Sequence, residues 1–93
     1  MSRTVKIEMP LLKKKSNVID LVVGETEISF MPINASLEEM KIFLFNSESR
    51  HLKQYITVGY ELPKLKLNVA NFNSFWIERN GNGFKYEIQA AIR

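Results

Sequence analysis

The sequence predicts an α+β domain: a mainly antiparallel sheet of about six or seven strands packed against one helix, residues 36–46. Three observations lead there. Several short segments alternate apolar and polar residues at period two, the pattern of half-buried strands. Asn80-Gly81-Asn82-Gly83 separates two such segments, and Asn-Gly suits a tight hairpin turn because both residues tolerate positive φ. Ser36-Leu37-Glu38-Glu39 places a glutamate three residues after a serine, the spacing of a helix capping box.

Taken in order, Thr4 to Met9 directs Val5, Ile7 and Met9 to one face, and Pro10 ends the strand because it has no N–H for a ladder. Leu11 to Ser16 is a connection carrying Lys13-Lys14-Lys15, a solvated loop or edge guard and also a candidate contact for phosphate or an acidic partner. Asn17 to Val23, nearly continuously apolar from Val18 on and broken by Asp20, suits a central strand covered on both faces. Gly24-Glu25 turns the chain, and Thr26 to Ile33 returns with Ile28 and Phe30 on one face.

From Ser36, Leu37, Met40, Phe43 and Leu44 recur at helical spacing, with Asn46 as the stop. Ile42-Phe43-Leu44-Phe45 by itself also suits a buried strand; the capping box decides for the helix. Ser47 to Gln54 is polar and reads as a surface connection holding the one histidine, His51. Alternation resumes in Tyr55 to Glu61 and in Lys64 to Val69, where Leu65, Leu67 and Val69 face inward. Ala70 to Asn73 then leads into a closing hairpin, with Phe75 and Ile77 before its turn and Phe84, Tyr86, Ile88, Ala90 and Ile92 after it.

The order strand, Gly24-Glu25 turn, strand and capped helix opening Ser36-Leu37-Glu38-Glu39-Met40-Lys41 resembles the start of a ubiquitin-like β-grasp domain. The resemblance spans Val18 to Leu44, under a third of the chain. An extra strand precedes it, and the closing Ala90-Ala91-Ile92-Arg93 lacks that family's di-glycine tail, so no family membership or conjugation chemistry follows.

Length fits a single domain, residues 1–93. With 45% hydrophobic and 25% charged residues the chain has the composition of a folded protein rather than a disordered one. Cysteine is absent, which removes disulfides, zinc–thiolate sites and thiol nucleophiles and suits the cytoplasm. No apolar run is long enough for a signal peptide or membrane span. A single loop histidine leaves no Cys–His or Ser–His–Asp arrangement to assemble, and no phosphate-binding glycine loop, metalloprotease helix or calcium loop is present. The expectation is a non-enzyme that needs no cofactor and no metal. Heavy use of Lys, Asn, Ile and Phe suggests an A+T-rich genome such as many phages carry.

What remains is a surface. If Val69 faces Phe75, then Lys66 faces Glu78, and Lys64, Lys66, Asn68, Trp76, Glu78, Lys85 and Glu87 share one wet face. Three roles stand open for Trp76: a contact anchor, a cation–π partner of Lys66 or Lys85, or core beneath a second layer. The candidate binding residues are Trp76, Tyr60, Lys64, Lys66 and Lys85, joined by Lys13, Lys14 and Lys15. The expected function is a small non-catalytic protein-binding module: an inhibitor, adaptor or assembly subunit, as a phage or mobile-element accessory protein would be. It would act in the cytoplasm, the host's if phage-encoded. The alternative is a single-stranded nucleic-acid binder that adds Tyr55 to this Lys/aromatic face. Another protein, an acidic one, is the first partner and nucleic acid the second. No membrane is involved, and an exposed sheet edge offers a route to homo-oligomers.

Overall fold

A computed structural model describes residues 2–31 and 37–93. The strands are β1 (Arg3–Met9), β2 (Ile19–Asp20), β3 (Glu27–Phe30), β4 (Glu39–Asn46), β5 (His51–Val58), β6 (Lys66–Asn68), β7 (Ser74–Arg79) and β8 (Tyr86–Ile92). They form two four-stranded sheets, ordered β1-β8-β3-β6 and β2-β7-β4-β5, with antiparallel pairing throughout. Ile7, Met9, Ile28, Phe30, Leu67, Ile88, Ala90 and Ile92 of the first sheet bury against Ile19, Met40, Ile42, Leu44, Phe75 and Ile77 of the second. The fold is a β-sandwich with one short 3-10 helix, Gly59–Lys64, whose buried Leu62 packs into the shared core.

This corrects the α+β expectation of one sheet and one helix. Residues 39–46 form a central strand, not a helix, with the pattern Met40, Ile42, Leu44 inward and Lys41, Phe43, Phe45 outward. Ser36, the proposed cap, lies outside the described residues. β7 on one side and β5 on the other hydrogen-bond to β4, and Ile42-Phe43-Leu44-Phe45 fits a pleated surface between two partners better than a helix. The β-grasp resemblance falls with the helix.

The closing hairpin is also overturned. β7 pairs with β4 and β2, while β8 pairs with β1 and β3, so the last two strands lie in opposite sheets. Period-two alternation is the same whether two strands share a sheet or face each other across a core, because both arrangements turn every second residue inward. Asn80-Gly81 therefore serves a crossover. The Gly81 N–H donates to Glu38 Oε1 at 2.6 Å, and a Cβ there would meet that oxygen at 2.8 Å. The pairing of Lys66 with Glu78 fails likewise, since β6 pairs with β3 and β7 with β4.

Among the described strands only β4 and β5 form a hairpin; every other connection passes from one sheet to the other. Its loop, residues 47–50, is held by Asn46 Oδ1, which accepts the N–H groups of Glu48 at 2.9 Å and Ser49 at 3.1 Å. The predicted central strand at Asn17–Val23 reduces to the two-residue edge strand β2, with Val22 and Val23 exposed. The turn expected at Gly24-Glu25, glycine first, forms one residue earlier as Val22–Glu25, with Glu25 N–H donating to the Val22 carbonyl at 3.1 Å and Gly24 third at φ 99°. It too joins different sheets.

Two polar devices hold the crossovers. Arg3 Nε and Nη2 donate to Glu25 Oε2 at 2.8 Å and Oε1 at 3.0 Å, and Nη2 also donates to the Asp20 carbonyl at 2.5 Å, tying β1 to the β2–β3 turn. At another crossover, Arg79 occupies an inward position at only 4% exposure. Its Nε donates to the Lys13 carbonyl at 2.9 Å, Nη2 to the Pro10 carbonyl at 3.0 Å, and Nη1 to the Phe84 carbonyl, with the guanidinium 5.0 Å from the Tyr86 ring.

Replacing Arg79 with Met strands the Lys13 and Phe84 carbonyls, the Pro10 carbonyl keeping its bond from the Lys13 N–H, and the expected loss is about 2–4 kcal/mol, read by urea denaturation. A loss under about 0.5 kcal/mol would remove Arg79 from its anchoring role. The hydrogen bond from Arg3 holds the Glu25 carboxyl below its ordinary value, against an opposing effect of desolvation. A lowered folded pKa stabilises above the unfolded value, and that contribution is lost as pH falls through the folded one. Glu25→Gln should therefore flatten this part of the acid limb of a stability–pH curve; an unchanged limb contradicts the pairing.

Candidate functional site

Alternation along β4 leaves Lys41, Phe43 and Phe45 on the outer face of the second sheet, because Met40, Ile42 and Leu44 take the inner one. The antiparallel register sets Phe43 opposite Trp76 of β7 and Lys41 opposite Glu78. On β4's other side, Phe45 faces Leu52, Phe43 faces Gln54 and Lys41 faces Ile56. The Phe43 and Trp76 rings stack at 5.4 Å and 11°, and Phe45 meets Trp76 edge-on at 6.4 Å and 62°. Residues 14–16 run along the other flank of β7: Arg79 N–H donates to the Lys14 carbonyl at 2.8 Å, and Ser16 N–H to the Ile77 carbonyl at 2.8 Å. Lys15 Nζ thereby lies 4.8 Å from the Trp76 ring centroid, while the indole N–H donates to Glu78 Oε2 at 2.9 Å.

Trp76 is thus an outer-face residue, half-buried, and among the described residues its ring is flanked by Phe43, Phe45 and Lys15 with no second layer over it. Its cation–π partner is Lys15, not Lys66 or Lys85. Leu52 and Ile56 extend the apolar surface to the open edge of the sheet at 51% and 61% exposure. An aromatic centre with mixed charges at its rim is the chemistry of a contact surface.

The remaining sequence candidates disperse. Lys66 belongs to β6 in the other sheet. Lys64 ends the 3-10 helix, pairing with Glu61 at 3.8 Å, and Tyr60 is exposed in that helix. Tyr55 turns toward the inner face, opposite Ile42, with Lys53 Nζ 5.1 Å from its ring. His51 stacks on Phe72 at 5.6 Å. Among the described residues no cluster of three His, Asp or Glu side chains is placed to hold a metal ion. No helix there is long and apolar enough to cross a membrane.

Lys13, Lys14 and Lys85 gather at the crossover end of the sandwich, where Leu12 N–H donates to the Asn82 carbonyl at 2.9 Å. Lys13 N–H donates to the Pro10 carbonyl at 3.0 Å, closing a turn with Leu12 at φ 67°. That position of a type II turn calls for glycine. Leu12 instead combines an unfavourable backbone conformation with 71% exposure, and Phe84, two residues after Leu12's hydrogen-bond partner Asn82, is 70% exposed. This end therefore presents large apolar side chains among lysines.

The sequence singles out Trp76 and Lys15, but not Phe43, Phe45, Leu52 and Ile56, which the structure places on the same face. The helix assignment hid Phe43 and Phe45, and the polar look of Ser47–Gln54 hid Leu52 at the start of a strand. Comparison with known protein families, curated proteins and solved structures finds no match to this chain.

Leu12→Gly should raise stability by roughly 0.5–1 kcal/mol, since relief of the left-handed strain exceeds the added chain entropy. Thermal or urea unfolding checks it; destabilisation by a similar amount would show that the leucine packs.

Proposed function

We propose that this domain is a small non-catalytic protein-binding module whose contact surface is the outer face of the second sheet. The observation that carries the proposal is the Trp76–Phe43–Phe45 cluster on a sheet face that no layer covers among the described residues, continued by exposed Leu52 and Ile56. Tryptophan and phenylalanine supply anchor area, and Lys15, Lys41 and Glu78 supply a rim that fixes orientation. Lys13, Lys14 and Lys85 at the adjoining end favour a partner with acidic groups around an apolar patch. Such a module suits an inhibitor, adaptor or assembly subunit working in the cytoplasm, including a phage accessory protein in its host. Stacked aromatics beside Lys15 and Lys41 support a second reading, single-stranded nucleic acid held by stacking and phosphate neutralisation. Glu78, hydrogen-bonded to the indole, sets a carboxylate where a phosphate backbone would run, which favours the protein reading.

Trp76→Ala should fold and weaken the partner complex by about thirtyfold or more, the size of a hot-spot loss. The measurement is affinity capture from native cells followed by titration of the recovered partner against both proteins. Equal affinity of the folded variant would overturn the proposal. Salt-sensitive binding of single-stranded DNA, lost in the same variant, would move the assignment to the second reading.

A further inference from the structure

The sandwich has four strand edges, and they are not alike. β2 and β6 are two and three residues long, too short to template another strand. β1 is longer, but Asn17 covers it: its Oδ1 accepts Glu8 N–H at 2.8 Å, and its Nδ2 donates to the Lys6 carbonyl at 3.3 Å. β5 runs for eight residues in unbroken register with β4, without a bulge or proline. Between Leu52 and Ile56, among the described residues, no side chain caps its outer edge.

We propose that two copies of this chain associate through β5, antiparallel, with Gln54 on the two-fold axis. An axis perpendicular to the sheet keeps both outer faces on the same side and pairs residues of equal parity. Centred on Gln54, that register sets Leu52 against the second copy's Ile56, and the reverse, on the outer face. On the inner face it sets Lys53 against Tyr55, and Lys53 Nζ already lies over its own Tyr55 ring. Exposed apolar groups meet apolar groups, two amides meet on the axis, and each ammonium meets a ring. Neighbouring registers fail: centring on Lys53 places two like charges face to face, and centring on Tyr55 sets Gln54 against Ile56. The chosen register joins the two second sheets into one of eight strands, with the Trp76–Phe43 row of each copy meeting the other across the paired Gln54 side chains. The association shares Leu52 and Ile56 with the proposed contact surface but does not use Trp76, so Trp76→Ala, which should weaken partner binding and leave self-association unchanged, separates the two.

Sedimentation velocity over a wide concentration series should show the 10.8 kDa chain moving toward twice that mass. Leu52→Glu and Ile56→Lys, both at exposed positions, should each weaken self-association about tenfold or more. The double variant should restore it by setting glutamate against lysine at both ends. The chain has no cysteine, so Gln54→Cys provides a single thiol. On the axis the two Cα atoms sit about 4.5–5.5 Å apart, within disulfide range, and oxidation should yield a covalent dimer. Leu52→Cys, displaced from the axis, should not. A chain that stays monomeric throughout, a dimer indifferent to Leu52→Glu while near-UV circular dichroism shows a native fold, or Leu52→Cys crosslinking as fast as Gln54→Cys would overturn the proposal.

Discussion

A buried guanidinium is the interaction on which the rest of this molecule depends. Arg79 stands where β7 leaves one sheet and the chain crosses to β8 in the other, and it gives its donors to carbonyls from three places in the backbone. Those carbonyls belong to irregular segments, which have no ladder partners of their own to satisfy them. Among the described residues no carboxylate is hydrogen-bonded to the guanidinium; carbonyl dipoles and the Tyr86 ring stabilise the charge instead. Lysine has neither the planar fork nor the number of donors to replace it.

The same anchor shapes the candidate surface. By fixing Pro10 and Lys13, Arg79 lays residues 14–16 along the flank of β7, where Ser16 Oγ accepts the Ile77 N–H at 2.9 Å. That alignment brings Lys15 over Trp76, so a buried constraint on one side of the sheet determines the charge beside the aromatic cluster on the other. β5, on the far side of β4, receives no comparable cover. Among the described residues, the second sheet is therefore finished at one edge and open at the other, and no element lies across its outer face, because residues 39–46 joined the sheet instead of forming a helix over it.

Much of the inward-facing set was legible in the sequence. Ile7 and Met9, Ile28 and Phe30, Leu67 and Val69, and Phe75 and Ile77 alternate as the core does, and all are buried. Alternation says which side of a strand faces inward but not which sheet holds the strand, and this chain changes sheet at nearly every connection. That is why Asn80-Gly81 misled: its turn chemistry is real, but no hairpin follows it. At Asn17–Val23, composition suggested a covered strand, whereas the tertiary fold uses Ile19 and Leu21 and leaves the valines in solvent. Trp76 was legible because a tryptophan among charges is conspicuous in any register. Phe43, whose ring stacks on it, was not, because Ile42-Phe43-Leu44-Phe45 suits helix and strand alike until the neighbours are known.

The central claim is that β7 and β8, adjacent in sequence, lie in opposite sheets, placing Trp76 beside Phe43 on the outer face of the second sheet. Nuclear Overhauser contacts in the isotope-labelled protein test it most directly. Backbone contacts should pair Ile42 with Ile77 and Phe43 with Trp76, and Ile7 with Ile88 in the other sheet. Backbone contacts joining Ile77 to Phe84 or to Tyr86, as a closing hairpin requires, would contradict it.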